Sequence, residues 1–202
     1  ESESRGLGDV YKRQVELSAN LNCVDLGAGT GLCGAPLRRV LAPRTPHITG
    51  VDLSTRMLEL CAKRGDHDAV VEGEAVAHLK RLPDTSVDVI VAADVLAYIG
   101  DCAELFGEAH RVLRTNGRLV FTLEEGDAGF GLGPGGRFVH SEAYLYEAAA
   151  AAGLDLFFHD ASAVSTDERA GNARARKQLA DHAFCSCGDV MMMKLKLGEG
   201  PV

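Results

Sequence analysis

Val24-Asp25-Leu26-Gly27-Ala28-Gly29-Thr30-Gly31 joins an apolar run to a stretch with helical spacing, and its reading decides the fold. The run Asn22–Leu26 has the length and composition of a buried strand. The glycines that follow let the backbone turn tightly and approach a ligand with no Cβ in the way. A strand, a glycine turn and a helix in that order are the opening unit of a parallel α/β sheet.

Working outward, apolar runs and helical patterns alternate. Candidate strands follow at His47–Asp52, Ala69–Glu72, Val87–Ala93, Arg118–Leu123, Leu154–Asp160 and Val190–Leu197. Helical patterns fall near 32–42, 54–64, 75–81, 102–114, 141–152 and 167–182. This alternation predicts a mostly parallel sheet with helices on both faces. Asn116-Gly117 reads as a turn before strand five, and Gly126–Gly136 as a mobile loop.

The 202 residues, 46% hydrophobic and 25% charged, are enough for one globular domain with a substantial core. The chain begins at Glu1, and Gly6–Gln14 resembles a translated sequencing-adaptor artefact. Residues 1–14 are therefore expected to be a non-native or disordered leader, and 15–202 a single domain lacking its N-terminal lid. Six cysteines form neither a disulfide framework nor a spaced zinc pattern, which favours a reducing, cytoplasmic setting and no metal. The pair Cys185 and Cys187 reads as a bland loop or strand edge. A formal charge of −8 and no basic tract speak against nucleic acid. No apolar run is long enough to span a membrane.

Gly29-Thr30-Gly31-Leu32-Cys33-Gly34 also satisfies the dinucleotide pattern GxGxxG, with Asp52 following at a suitable distance. Three features favour S-adenosylmethionine instead. Asp25 is placed to receive the cationic end of a zwitterion, directly or through water, where a pyrophosphate would want a bare helix N-terminus. Asp52, in Gly50-Val51-Asp52-Leu53-Ser54, can accept both hydroxyl protons of a ribose. Glu74 and Asp94 add two more acids at the carboxyl edge of the sheet. Each has a plainer reading: Asp52 as a helix cap beside the better N-cap Ser54, Glu74 as a first-turn acid favoured by the helix dipole.

Further motifs carry a family resemblance. Val51-Asp52-Leu53-Ser54 with Met57-Leu58, Ala92-Ala93-Asp94-Val95-Leu96 with Tyr98-Ile99-Gly100-Asp101, Asn116–Phe121, and Gly136-Arg137-Phe138-Val139-His140-Ser141 with Tyr144 resemble class I S-adenosylmethionine-dependent methyltransferases. The likeness extends from about Asn20 to Leu197. It is closest to predicted methyltransferases associated with tetratricopeptide repeats and to the Williams–Beuren-region methyltransferase-like proteins, although no repeats are present. The resemblance implies a Rossmann-like seven-stranded sheet ordered 3-2-1-4-5-7-6 with strand seven antiparallel. It implies that Gly27, Gly29 and Gly31 line the methionine moiety, Asp52 the ribose, Glu74 with Ala75 the adenine, and Asp94 the floor near the methyl group, with Ala28 and Leu53 also among the cofactor-binding residues.

Methyl transfer from a sulfonium requires alignment of donor and acceptor and exclusion of water, with no universal catalytic residue. A nitrogen or hydroxyl acceptor must also lose a proton, for which Asp94, Tyr98, His140 and Tyr144 are candidates in that order. His140 reads equally as a solvent-facing loop residue. Arg137 pairs with a surface acid or holds a carboxylate-bearing acceptor. The expected activity is methyl transfer to a small-molecule or protein acceptor. The rivals are an NAD(P)-dependent oxidoreductase, which lacks a recognisable Tyr-x-x-x-Lys pair here, and a non-catalytic adenosylmethionine-binding protein.

Overall fold

The computed structural model describes residues 20–158 and 193–197. Residues 1–14, the helical pattern near 167–182, and Cys185 and Cys187 lie outside the described residues. Strands β1 (Asn20–Leu26), β2 (Thr45–Asp52), β3 (Ala69–Glu72), β4 (Val87–Ala92) and β5 (Leu113–Phe121) form the parallel part of the sheet. Their order is β3-β2-β1-β4-β5. Helices α1 (Gly34–Leu41), α2 (Thr55–Arg64), α3 (Ala75–Arg81), α4 (Ala103–Val112) and α5 (Glu142–Ala151) connect or flank these strands. Farther along lie β9 (Leu154–Phe158) and β10 (Met193–Leu197), and β10 pairs antiparallel with both β5 and β9.

Strand alternation divides the core in two. Val24, Leu26, Ile90 and Ala92 face one side, packed with Val76 and Leu79 of α3, Leu105, Phe106 and Ala109 of α4, and Leu145 of α5. Leu21, Cys23, Val89 and Val91 face the other, with Leu37 and Leu41 of α1. Helices therefore cover both faces, and β4, buried along its whole length, is apolar at every position but Asp88, close to the continuous apolar run of a central parallel strand. Each such Val, Leu or Ile contributes about 1.5–3 kcal/mol by leaving water.

The helix ends follow from their residues. Ser54 Oγ accepts from Met57 N before α2, and Gly65, at φ +76°, ends that helix in the left-handed conformation. Ser141 Oγ accepts from Tyr144 N before α5. These assignments lie within two residues of the sequence expectations.

Two expectations are corrected. Asn116-Gly117 is no turn but part of β5, where Asn116 takes φ +66° and the pairing with β4 shifts register between Val87 and Val89. Two steps along β4 match five along β5 there, and a bulge of three extra residues carries the same Asn-Gly signal as a turn. Gly126–Gly136 is not a structureless loop either. Strands β6 (Glu124–Glu125), β7 (Phe130–Leu132) and β8 (Phe138–His140) form a second sheet, ordered β6-β8-β7. Strands of two or three residues are too short to show a period of two. Among the described residues no helix is long and apolar enough to cross a membrane.

Candidate active site

Parallel register brings the carboxyl ends of β1 to β4 to one edge, with Leu26 opposite Val51 and Ala92, and Asp52 opposite Glu72. The glycine turn follows β1 at this edge. Gly27, Gly29 and Gly31 all have positive φ, at +64°, +54° and +82°. A Cβ on Gly27 would sit 2.5 Å from Val95 Cγ2. Ala28 N donates to Val51 O, which ties the turn to β2.

Asp52 is the keystone of the turn. Its Oδ2 accepts from Gly29 N at 2.8 Å and its Oδ1 from Ser54 N at 2.9 Å. The ligand-facing and helix-capping readings of Asp52 are thus compatible: one carboxylate holds the turn and the start of α2, and two of its roughly four lone-pair sites stay open for a diol. Leu53 beside it is an apolar side chain 72% exposed. Gly73 N donates to Asp52 O, bringing the β3–α3 connection to the same place. There Glu74 accepts from Val76 N at 2.9 Å and Ala77 N at 2.6 Å, so both its oxygens cap α3. The plainer reading of Glu74 describes its carboxylate here, and Ala75 opens the helix behind it.

Asp25, expected to receive the cationic end of a ligand directly or through water, meets a buried protein partner. Asp25 is 1% exposed, and its Oδ2 lies 2.9 Å from His67 Nε2. His67 Nδ1 in turn lies 3.3 Å from Cys61 Sγ. The period of β1 turns Asp25 inward, where an imidazole meets it. His67 gave no sequence signal of its own, yet glycines surround it. Cβ atoms built on Gly31, Gly34 and Gly50 would come within 3.3, 2.8 and 3.0 Å of its ring. The last glycine of the literal GxGxxG therefore makes room for His67 and is explained without a pyrophosphate. Burial and the nearby Asp25 push the Cys61 thiol up to about 11.

Asp94 follows β4 with φ +60°, a conformation uncommon outside glycine. Its N–H donates to the buried Thr122 Oγ1 at 2.8 Å, and its carboxylate pairs with Arg137 Nη2. Arg137 Nε meets Glu124, and the guanidinium carbon lies 5.3 Å from the centre of the Tyr98 ring. Tyr98 itself is 69% exposed. Asp94, Tyr98 and Arg137 are thereby brought together, and Glu124 and Thr122 join them unannounced by any motif.

His140 is not solvent-facing, which corrects that sequence reading of it. It is fully buried, and Nε2 lies 2.9 Å from both Ile99 O and Gly100 O. Nε2 therefore carries the proton and donates to these carbonyls. Burial, the larger influence, lowers the His140 pKa against the opposing effect of these hydrogen bonds. Tyr144 is likewise committed: its hydroxyl accepts from Cys102 N at 2.6 Å and donates to Asp101 Oδ1 at 2.9 Å. Burial raises its pKa well above the ordinary phenol value. Phe138 packs against Gly100, where a Cβ would lie 2.7 Å from its ring. Residues 137, 138 and 140 thus fasten the small sheet to the segment Tyr98–Gly100.

A glycine turn over a carboxylate, at the carboxyl edge of a 3-2-1-4-5 sheet, defines a nucleoside-binding α/β domain. Known proteins sharpen this. Residues 24–121 match the family described as a methyltransferase domain. A demethylmenaquinone methyltransferase of Thermotoga maritima is 37% identical over 114 residues, 54% of this chain and 47% of that protein. A malonyl-[acyl-carrier protein] O-methyltransferase of Hahella chejuensis is 32% identical over 145 residues, 65% of this chain and 50% of that one. The chain spans about half the length of these curated relatives. The crystal structure of an S-adenosylmethionine-dependent methyltransferase from Aquifex aeolicus superposes with a TM-score of 0.60 at 16% identity, covering 95% of this chain and 89% of that one, and shows the shared fold. Together these findings support a class I S-adenosylmethionine-dependent methyltransferase domain, with S-adenosylmethionine as the cofactor that family implies.

Proposed function

We propose that this chain transfers the methyl group of S-adenosylmethionine to a small-molecule or protein acceptor, as a single domain over residues 15–202 in a cytoplasmic setting. The observation that carries the reading is Asp52: its carboxylate bridges Gly29 N and Ser54 N beside the exposed Leu53. That arrangement suits a ribose diol with an apolar base next to it. Gly27, Ala28, Gly29 and Gly31 would hold the amino-acid end through their backbone, and Glu74 with Ala75 would border the base. When bound, the cofactor supplies an electrophilic methyl group on a sulfonium.

The chain's own residues then align and shield. Asp94 fixes the floor of the cleft through Thr122 and Arg137, and the exposed Tyr98 faces the acceptor side. His140 acts as a positioning residue by holding the carbonyls of Ile99 and Gly100, which keeps Tyr98 in place. The antiparallel pairing of β10 with β5 and β9 supports the full strand order 3-2-1-4-5-7-6. The Arg137–His140 string supports kinship with the branch that includes the tetratricopeptide-associated and Williams–Beuren-region proteins. The relatives that act on demethylmenaquinone and on a malonyl-acyl carrier protein are compatible with either acceptor class.

Calorimetric titration with S-adenosylhomocysteine tests the reading. Wild type should bind, and Asp52→Ala should bind roughly 10- to 100-fold more weakly, the worth of charge-assisted hydrogen bonds. Tight NAD(P)H binding with no affinity for S-adenosylhomocysteine would instead establish the oxidoreductase rival. Labelled-methyl transfer to cell extract separates the enzyme from a protein that only binds the nucleoside.

A further inference from the structure

We propose that Arg137 anchors a carboxylate on the methyl acceptor, and that Glu124 occupies that place until the acceptor arrives. The inference rests on the reading of the cleft as a methyltransferase site.

The two acids on Arg137 are unequal. Asp94 is 13% exposed at its side chain and fixed by its backbone bond to Thr122. Glu124 is 44% exposed at its side chain and sits on a strand of two residues at the margin of the small sheet. Asp94 is therefore a permanent partner and Glu124 an exchangeable one. The Arg137 side chain as a whole is 24% exposed, so it borders solvent without lying loose in it.

Exchange solves the charge problem of placing an acid here. An incoming carboxylate added to Asp94 and Glu124 would put three negative groups around one guanidinium. One that replaces Glu124 leaves the count unchanged, and an exposed side chain returns to water at small cost. A guanidinium presents five N–H donors in a fork suited to carboxylates. Of these, Nη2 donates to Asp94, Nε faces Glu124 as an ion pair without an aligned hydrogen bond, and among the described residues no acceptor lies on Nη1. The Arg137–Tyr98 stack supplies the rest of the specificity. The guanidinium lies over a ring that is 69% exposed, so an acid held by Arg137 finds an apolar, planar surface beside it that Glu124 does not use. The acceptor class is thus an organic acid whose carboxylate adjoins an aromatic or aliphatic body.

Benzoate, with benzamide as its uncharged isostere, is a suitable probe pair. The full chain, labelled with nitrogen-15 in arginine and saturated with S-adenosylhomocysteine, is titrated with each while the Arg137 Nε–H resonance is followed. That resonance is assigned by its loss in Arg137→Gln. Benzoate should move it saturably and benzamide should not. Glu124→Gln should tighten benzoate binding roughly threefold or more by removing the competitor, Arg137→Lys should weaken it, and Arg137→Gln should abolish it. Equal responses to benzoate and benzamide, or an unchanged benzoate affinity in Glu124→Gln, would overturn the proposal. S-adenosylhomocysteine affinity, measured on every variant, reports folding. If wild type lacks that affinity, the methyltransferase reading falls, and the benzoate titration of the unloaded chain still decides the anchor.

Discussion

Substituting Gly27 by alanine tests whether the glycine turn is fitted to the tip of β4 as well as to a ligand. Gly27 has φ +64°, and a Cβ there would lie 2.5 Å from Val95 Cγ2. The left-handed backbone costs an alanine about 1–2 kcal/mol, and forcing a methyl group into a packed core adds about 1–3 kcal/mol. The sum, about 2–5 kcal/mol, is a large fraction of the stability of one domain. The two contributions separate experimentally. Gly65 has φ +76° and nothing within 4 Å of its Cβ position, so Gly65→Ala measures the backbone cost alone. Val95→Ala removes the offending methyl and leaves Val95 Cβ 3.9 Å away. By itself it costs about 1.5–2.5 kcal/mol in lost burial and void. The double variant Gly27→Ala/Val95→Ala should then fall short of the sum of the singles by about 1–3 kcal/mol. Urea unfolding followed by circular dichroism reads these differences at constant m value. If Gly27→Ala costs no more than Gly65→Ala, or the double variant is additive within about 0.5 kcal/mol, the fit between the turn and Val95 is not a determinant and the reasoning fails.

Acid should weaken the fold through its buried imidazoles. Burial lowers the pKa of His140 and of His78, so the unfolded chain takes up their protons more readily. Their contribution is intact above the unfolded value of about 6.5 and declines as the pH falls through it. Urea midpoints should therefore drop between about pH 7.5 and 5.5, and His140→Gln should flatten part of that slope; an undiminished slope would exclude His140 as its source. The described cysteines should also resist modification. Cys23, Cys33, Cys61 and Cys102 are buried, and burial pushes Cys61 to about 11 and Cys102 to about 12. In a Cys185→Ser/Cys187→Ser background, a disulfide reagent at neutral pH should find no rapidly reacting thiol until denaturant is added, and fast labelling of the native protein would contradict the burial.

Much of this architecture is legible in the amino-acid order because its signals are local. The apolar run Val89–Ala92 of β4, the caps Ser54 and Ser141 and the glycines after β1 each act within a few residues. The site was legible only where a motif and a strand end coincide, as at Asp52 and Asp94. The neighbour of Asp25 is not legible, because alternation along a strand fixes which face a side chain takes, while the partner it meets there, His67, lies 42 residues away. The Arg137–Asp94 pair spans 43 residues and depends on a second sheet whose strands are too short to announce themselves. Glycine was over-read for a related reason. Gly31, Gly34 and Gly50 all border the His67 imidazole, together with Cys61 and Asp66, and no spacing rule connects them.

The interior contact of Asp25 bears on how sequences of this kind should be sorted. Removing that acid would strand His67 inside the protein, so a descendant that had abandoned its nucleoside would still be under pressure to keep it. Leu53 is not buried in this way: its side chain is 72% exposed. A working copy and a decayed one would then look alike at Asp25 and part company at the residue after Asp52.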